Sequence, residues 1–216
     1  MTAFDRIGAV FFAMVVIASC EPTADQVPAR TVQLGAPGEA TRTLTADEAA
    51  QLGRPRYGAA DVRFMQGMIP HHAQAIDMAM LVPARTETEL IHLLARRIDI
   101  SQRDEIRLME RWLGTRGEAL PGEEAVQNHS GEHALMPGML TSEEIADLAT
   151  ATGSEFDRMF LEFMVRHHEG ALIMVSELFS SIGGGQETEV HRFASDVDAD
   201  QDMEIQRMMN ILNEIP

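Results

Sequence analysis

The chain has 216 residues, with 34 acidic against 17 basic side chains and a formal net charge of −17, and every basic side chain is an arginine. A charge this negative repels phosphate backbones and excludes nucleic acid as a partner, while a single cysteine excludes an internal disulfide framework and any zinc site that needs two thiolates from this chain. Left to be explained are 15 methionines and eight histidines in a chain with nine Phe, one Tyr and one Trp.

The first element is an apolar run, Ile7–Ser19, without a charge. Spanning a bilayer takes about 20 apolar residues, so this run suits the core of a secretory signal instead. It ends in Ile17-Ala18-Ser19-Cys20, which resembles the lipobox of bacterial lipoproteins. Residues 1–19 are therefore expected to be removed, with Cys20 as the lipid attachment point. The mature protein is expected on the periplasmic side of a bacterial membrane, held there by the lipid alone. Residues 20–57 are rich in Pro, Ala, Thr and Gly and read as a flexible tether. A short helix is expected within it at Ala46–Leu52, with Thr45 as N-cap and Glu48 three residues on.

The remainder, residues 58–216, is organised by an internal repeat. At an offset of 96, Phe64, Met68, His71, His72, Ala75 and Met78 meet Phe160, Met164, His167, His168, Ala171 and Met174. At an offset of 99, His92, Asp99, Gln102, Glu105, Ile106 and Met109 meet His191, Asp198, Gln201, Glu204, Ile205 and Met208. The change in offset falls in two expected turns, Val82–Glu89 and Ser180–Glu189. Each half is thus a helical hairpin (58–113 and 154–216), joined by a connector (114–153) with one short helix capped by Thr141 and Glu144. A lone hairpin cannot bury its apolar stripe, and two copies packed together make a four-helix bundle. The predicted fold is all-α.

At helical spacing, Phe64, Met65, Met68, His71, His72, Ala75, Ile76, Met78 and Ala79 share one face, with Gln66, Pro70, Gln74 and Asp77 opposite. The second helix turns Ile91, Leu94, Ile98, Gln102, Glu105, Met109 and Trp112 inward. The fourth does the same with Val190, Phe193, Val197, Gln201, Glu204, Met208 and Leu212. Ser154 with Asp157 reads as a capping box for the third helix. Pro70 inside the first helix is expected to kink it.

Two histidines per copy therefore lie on apolar faces, where a polar group without a partner costs a few kcal/mol. One reading is a packing network, in which Glu105 and Glu204 accept from the imidazoles and methionine fills gaps. That would make the domain a structural or interaction module with no metal. A second reading is a metal site, since imidazole with thioether suits Cu(I) and, by analogy, silver. Met68 reaches His71 at i, i+3 or His72 at i, i+4, and a pseudo-twofold axis would bring one histidine from each copy together. Glu105 and Glu204 would then orient the rings. A di-iron carboxylate enzyme needs Glu-x-x-His twice, and Glu89–His92 supplies it once, with Thr188 in the matching place. No enzymatic activity is therefore expected. His129, His133, Met136 and Met139 in the connector form an auxiliary metal candidate or a solvated linker.

The runs Phe64-Met65-Gln66-Gly67-Met68-Ile69-Pro70-His71-His72, Gln102-x-x-Glu105-Ile106-x-x-Met109-x-x-Trp112-Leu113, Met136-Pro137-Gly138-Met139 and Phe156-Asp157-Arg158 continuing to Arg166-His167-His168-Glu169-Gly170-Ala171 resemble the ferritin-like family catalogued as domain of unknown function 305. The resemblance covers roughly Ala60 to the C-terminus. It implies a small four-helix bundle, usually exported, with some members binding copper in the periplasm through Met and His, and no general enzymatic activity. Carried over residue by residue, it implies Met68, His71, His72, Met78, Met164, His167, His168 and Met174 as direct ligands, followed by Met136 and Met139. The expected function is Cu(I) sequestration or handoff to a copper-handling protein.

Overall fold

A computed structural model describes residues 31–33, 40–51, 55–122 and 135–215. The signal, Cys20, His129 and His133 lie outside these. The chain divides into two units, Met1–Gly53 and Arg54–Pro216.

In the first unit, β1 (Thr31–Gln33) pairs antiparallel with β2 (Arg42–Leu44), Val32 opposite Thr43. The tether reading did not anticipate this pair, because three-residue strands are too short to show a period of two. Helix α1 (Ala46–Gln51) follows, where a short helix is expected; Leu52 lies outside the described residues. Its predicted cap is formed: Glu48 Oε2 accepts from Thr45 N at 2.8 Å, and Thr45 Oγ1 accepts from Glu48 N at 3.2 Å.

The second unit is helical. Helix α2 (Ala59–Leu81) and α3 (Glu89–Arg116) form one hairpin, and α5 (Gly153–Ser180) and α6 (Thr188–Glu214) form the other. The hairpins meet mainly through α2 and α5. A short α4 (Ser142–Thr150) stands in the connector, with Thr141 and Glu144 closing the expected capping box. The predicted inward stripes of α3 and α6 are buried, save Glu105 and Leu212, which are half-buried. Helix α2 runs on through Pro70. Pro70 and Gln74, assigned from periodicity to the outer face, are buried, Gln74 because the connector returns across it at Leu140.

The two turns are braced by a pair of buried acids that obey the repeat. Asp61 Oδ2 accepts from Gly58 N at 2.8 Å, and its Oδ1 accepts from Gly185 N at 2.7 Å in the α5–α6 turn. Asp157, 96 residues later, accepts from Thr88 Oγ1 at 2.5 Å in the α2–α3 turn. The Ser154–Asp157 capping box is therefore not formed: α5 begins at Gly153, its N-cap Thr152 makes no side-chain cap, and Asp157 is drawn to the other hairpin. The histidines of the second repeat match serve the same turns. His92 Nε2 donates to Thr86 O at 2.8 Å, and His191 Nδ1 donates to Gly185 O at 3.0 Å.

Candidate metal centre

Antiparallel packing of α2 on α5 sets the two His-His pairs at one level of the bundle. Below and above them lie two apolar clusters. One holds Met78 and Met164 with Phe156, Phe160 and Leu161; the other holds Met68 and Met174 with Phe64, Met65 and Ala171. The four imidazoles form a polar layer between them, and all four residues are 0% exposed.

Within the layer, His71 and His167 face each other across the hairpin interface, with ring centroids 4.0 Å apart and planes 38° apart. Their sequence neighbours turn away, about 100° round each helix, toward the outer helices. His72 Nε2 donates to Glu105 Oε2 on α3 at 2.6 Å, and His168 Nε2 donates to Glu204 Oε2 on α6 at 2.8 Å. Glu105 and Glu204 thus each accept from one imidazole. Glu204 also accepts from Arg97 Nε at 3.3 Å.

These bonds leave a surplus of unused ring nitrogens. Among the described residues, His71 Nδ1, His72 Nδ1, His168 Nδ1 and both nitrogens of His167 are buried with no hydrogen-bond partner. Buried polar atoms are normally satisfied, so five such atoms in one layer are a deficit that packing alone does not answer. Burial, with the neighbouring His72 imidazole adding to it, pushes His71 down to about 3, against a smaller opposing effect of the Pro137 carbonyl. Burial likewise holds His167 well below the usual imidazole value, with the imidazoles of His71, His168 and His72 adding to it, against a smaller opposing effect of the His71 backbone. Both rings are therefore neutral at pH 7, the state in which imidazole can ligate a metal.

The remaining candidates divide by position. Met68, Met78 and Met164 are fully buried and Met174 nearly so. Met68 stands one helical turn before His72 and Met164 one turn before His168, which places one thioether on each side of the layer. Met136 is half-buried beside Met174, and a side chain at Gly67 would touch both. Met139 is 8% exposed, on the far side of the Pro137-Gly138 turn. Sequence reasoning placed Gln102 and Gln201 in the repeat and on the inward stripes but not among the candidate site residues; their amide oxygens are also buried without a partner among the described residues. Among the described residues, no three His, Cys, Asp or Glu side chains are gathered as a metal-holding group.

The connector supplies one more contact. Met136-Pro137-Gly138-Met139 forms a turn closed by Met139 N donating to Met136 O at 3.2 Å, with Gly138 at φ +76°, the geometry of a type II turn with Pro then Gly at its centre. His71 Nε2 donates to Pro137 O at 3.0 Å.

Solved structures share this architecture. A DUF305 fragment from Deinococcus radiodurans is 36% identical, with 74% of this chain and 99% of that one covered at a TM-score of 0.65. A secreted DUF305 protein from Streptomyces coelicolor is 28% identical, with 72% and 93% covered at 0.62. CopM, solved in Cu(II)-bound, Cu(I)-bound, Ag-bound and apo forms, is similar as well. Its Cu(II)-bound form is 29% identical, with 71% and 96% covered at 0.59. No curated protein matches the chain significantly. The family profile described as domain of unknown function (DUF305) matches residues 61–212, and the chain belongs to this family.

Proposed function

We propose that the protein binds Cu(I) in the imidazole layer, as a carrier or sequestering protein and not as an enzyme. The observation that carries this reading is the facing pair His71–His167, neutral and buried, with three of its four ring nitrogens unpartnered. An apolar core gains nothing from such atoms, whereas a soft cation would take them as ligands. His71 and His167 would hold the ion from the two hairpins. Met68 and Met164 would complete the set with thioether sulfur from either side, and His72 and His168, oriented by Glu105 and Glu204, stand ready as further donors. Ag(I) fits the same donors. The likeness to CopM, crystallised with copper and with silver, supports the reading. The lipobox-like end at Cys20 and the likeness to a secreted relative support an exported protein, lipid-anchored on the periplasmic side, that passes copper to a partner there.

The test is a Cu(I) titration of the purified protein under reducing conditions, with metal analysis. The wild type is expected to take up Cu(I), and the double variant His71→Ala/His167→Ala is expected to lose that uptake. Unchanged stoichiometry in the double variant would reject the site.

A further inference from the structure

The repeat makes His71 and His167 equivalent in sequence, but among the described residues the connector hydrogen-bonds to only one of them. Its segment Met136–Leu140, here the strap, is tied to α2 at two points. Pro137 O accepts from His71 Nε2, and Gln74 holds Leu140 from both sides, its Nε2 donating to Leu140 O at 2.9 Å and its Oε1 accepting from Leu140 N at 2.7 Å. Against α5 the fit is closer still. A Cβ on Gly170 would lie 2.0 Å from Pro137 O, and one on Gly138 would lie 2.4 Å from Arg166 O. In the repeat, Gln74 and Gly170 occupy the same position (offset 96). One copy spends that position on a clamp and the other on clearance, and together they seat the strap on the His71 side.

The chemical consequence follows from the donor rules. A backbone carbonyl only accepts, so the contact with Pro137 requires a proton on Nε2 and leaves the Nδ1 lone pair of neutral His71 unprotonated and free. Among the described residues neither nitrogen of His167 has a hydrogen-bond partner; the His71 backbone acts on the ring only as the smallest of its influences, and no carbonyl contact like that of Pro137 fixes where its proton sits. We propose that the strap, held by Gln74 and Gly170, locks His71 as the Nε2–H tautomer presenting Nδ1 to the metal, while His167 stays free to exchange tautomers. The two imidazoles are then unlike ligands, one preset and one adaptable, and Gln74 and Pro137 are positioning residues. The link to metal rests on the reading in the preceding section; the tautomer assignment stands in the metal-free protein.

Both parts can be read on the full chain labelled uniformly with ¹⁵N. In the metal-free wild type, long-range ¹H–¹⁵N spectra should show His71 as Nε2–H alone and His167 with both tautomers averaged. Gln74→Leu and Gly170→Ala release the strap by different means, and in each His71 should come to resemble His167. Adding Ag(I) to the wild type should shift His71 Nδ1 while its Nε2–H survives. Loss of an oriented ligand should lower Cu(I) affinity by about 10- to 100-fold in either variant, measured against a competing Cu(I) chelator. Equal tautomer behaviour of His71 and His167 in the wild type would overturn the proposal. So would a His71 still locked in both variants, with the Leu140 and Gly138 amide resonances showing that the strap has moved. A wild type that shows the tautomer difference yet takes up no Cu(I) would reject the metal reading and uphold the lock.

Discussion

At the scale of single residues, the imidazole layer couples stability to pH. His71 and His167 have folded-state values below the usual imidazole value because burial penalises the charged form. The unfolded chain therefore binds protons that the folded one refuses. Stability from this source is fully present above about pH 6.5, and it is lost as pH falls from there toward the folded value of about 3 for His71. Each such group contributes a slope of about 1.4 kcal/mol per pH unit inside that window. Urea unfolding of the metal-free protein between pH 7 and 5 should show the unfolding free energy falling with pH. The same series on His71→Leu/His167→Leu should be distinctly flatter. Only part of this was legible in sequence. Two histidines per copy on an apolar face can be read from periodicity, but which ring faces which partner cannot. A step of one residue turns a side chain by about 100°, and the positions of the outer helices decide what it then meets.

At the scale of elements, the turns are better specified than their sequences announce. Asp61 and Asp157 each reach from the start of one hairpin into the turn of the other, and His92 and His191 each close their own turn on a carbonyl. Asp61 is the stronger brace, since it accepts from two backbone N–H groups, one of them the buried Gly185 N. Asp61→Ala should destabilise the protein by about 1–3 kcal/mol, the cost of leaving a buried donor unmatched, as measured by the urea midpoint at pH 7. The helices themselves were legible, because an apolar stripe at period 3.6 is a local property. The braces were within reach too, since the offset of 96 that aligns the histidines also lays Asp61 on Asp157. The expected Ser154–Asp157 cap failed for a definable reason: a side chain able to cap its own helix found a hydroxyl donor, Thr88, across the hairpin interface.

At the scale of the whole molecule, the connector is what separates the protein from a symmetric pair of hairpins. It covers Gln74, brings Met136 beside Met174, and gives one of two equivalent histidines a partner. The other large-scale feature is the proposed anchor, which predicts a simple result. In a bacterial host, the wild-type chain should incorporate labelled lipid and fractionate with membranes, and Cys20→Ser should lose the label and leave the membrane fraction. Continued labelling of that variant would reject Cys20 as the attachment point. Among the described residues no helix is long and apolar enough to cross a membrane.

The sequence by itself determined the helices, most of their inward faces, the twofold repeat and where its methionines and histidines stand along them, because each is written in spacing along a single stretch of chain. Only the tertiary structure decided which ring nitrogens are used and which are left over. His71 meets its carbonyl, and Gln74 its backbone partner, 66 residues away in the chain. A hydrogen bond forms or fails over a few tenths of an ångström, and contacts that distant in sequence are set to that tolerance only when the hairpins and the strap have packed.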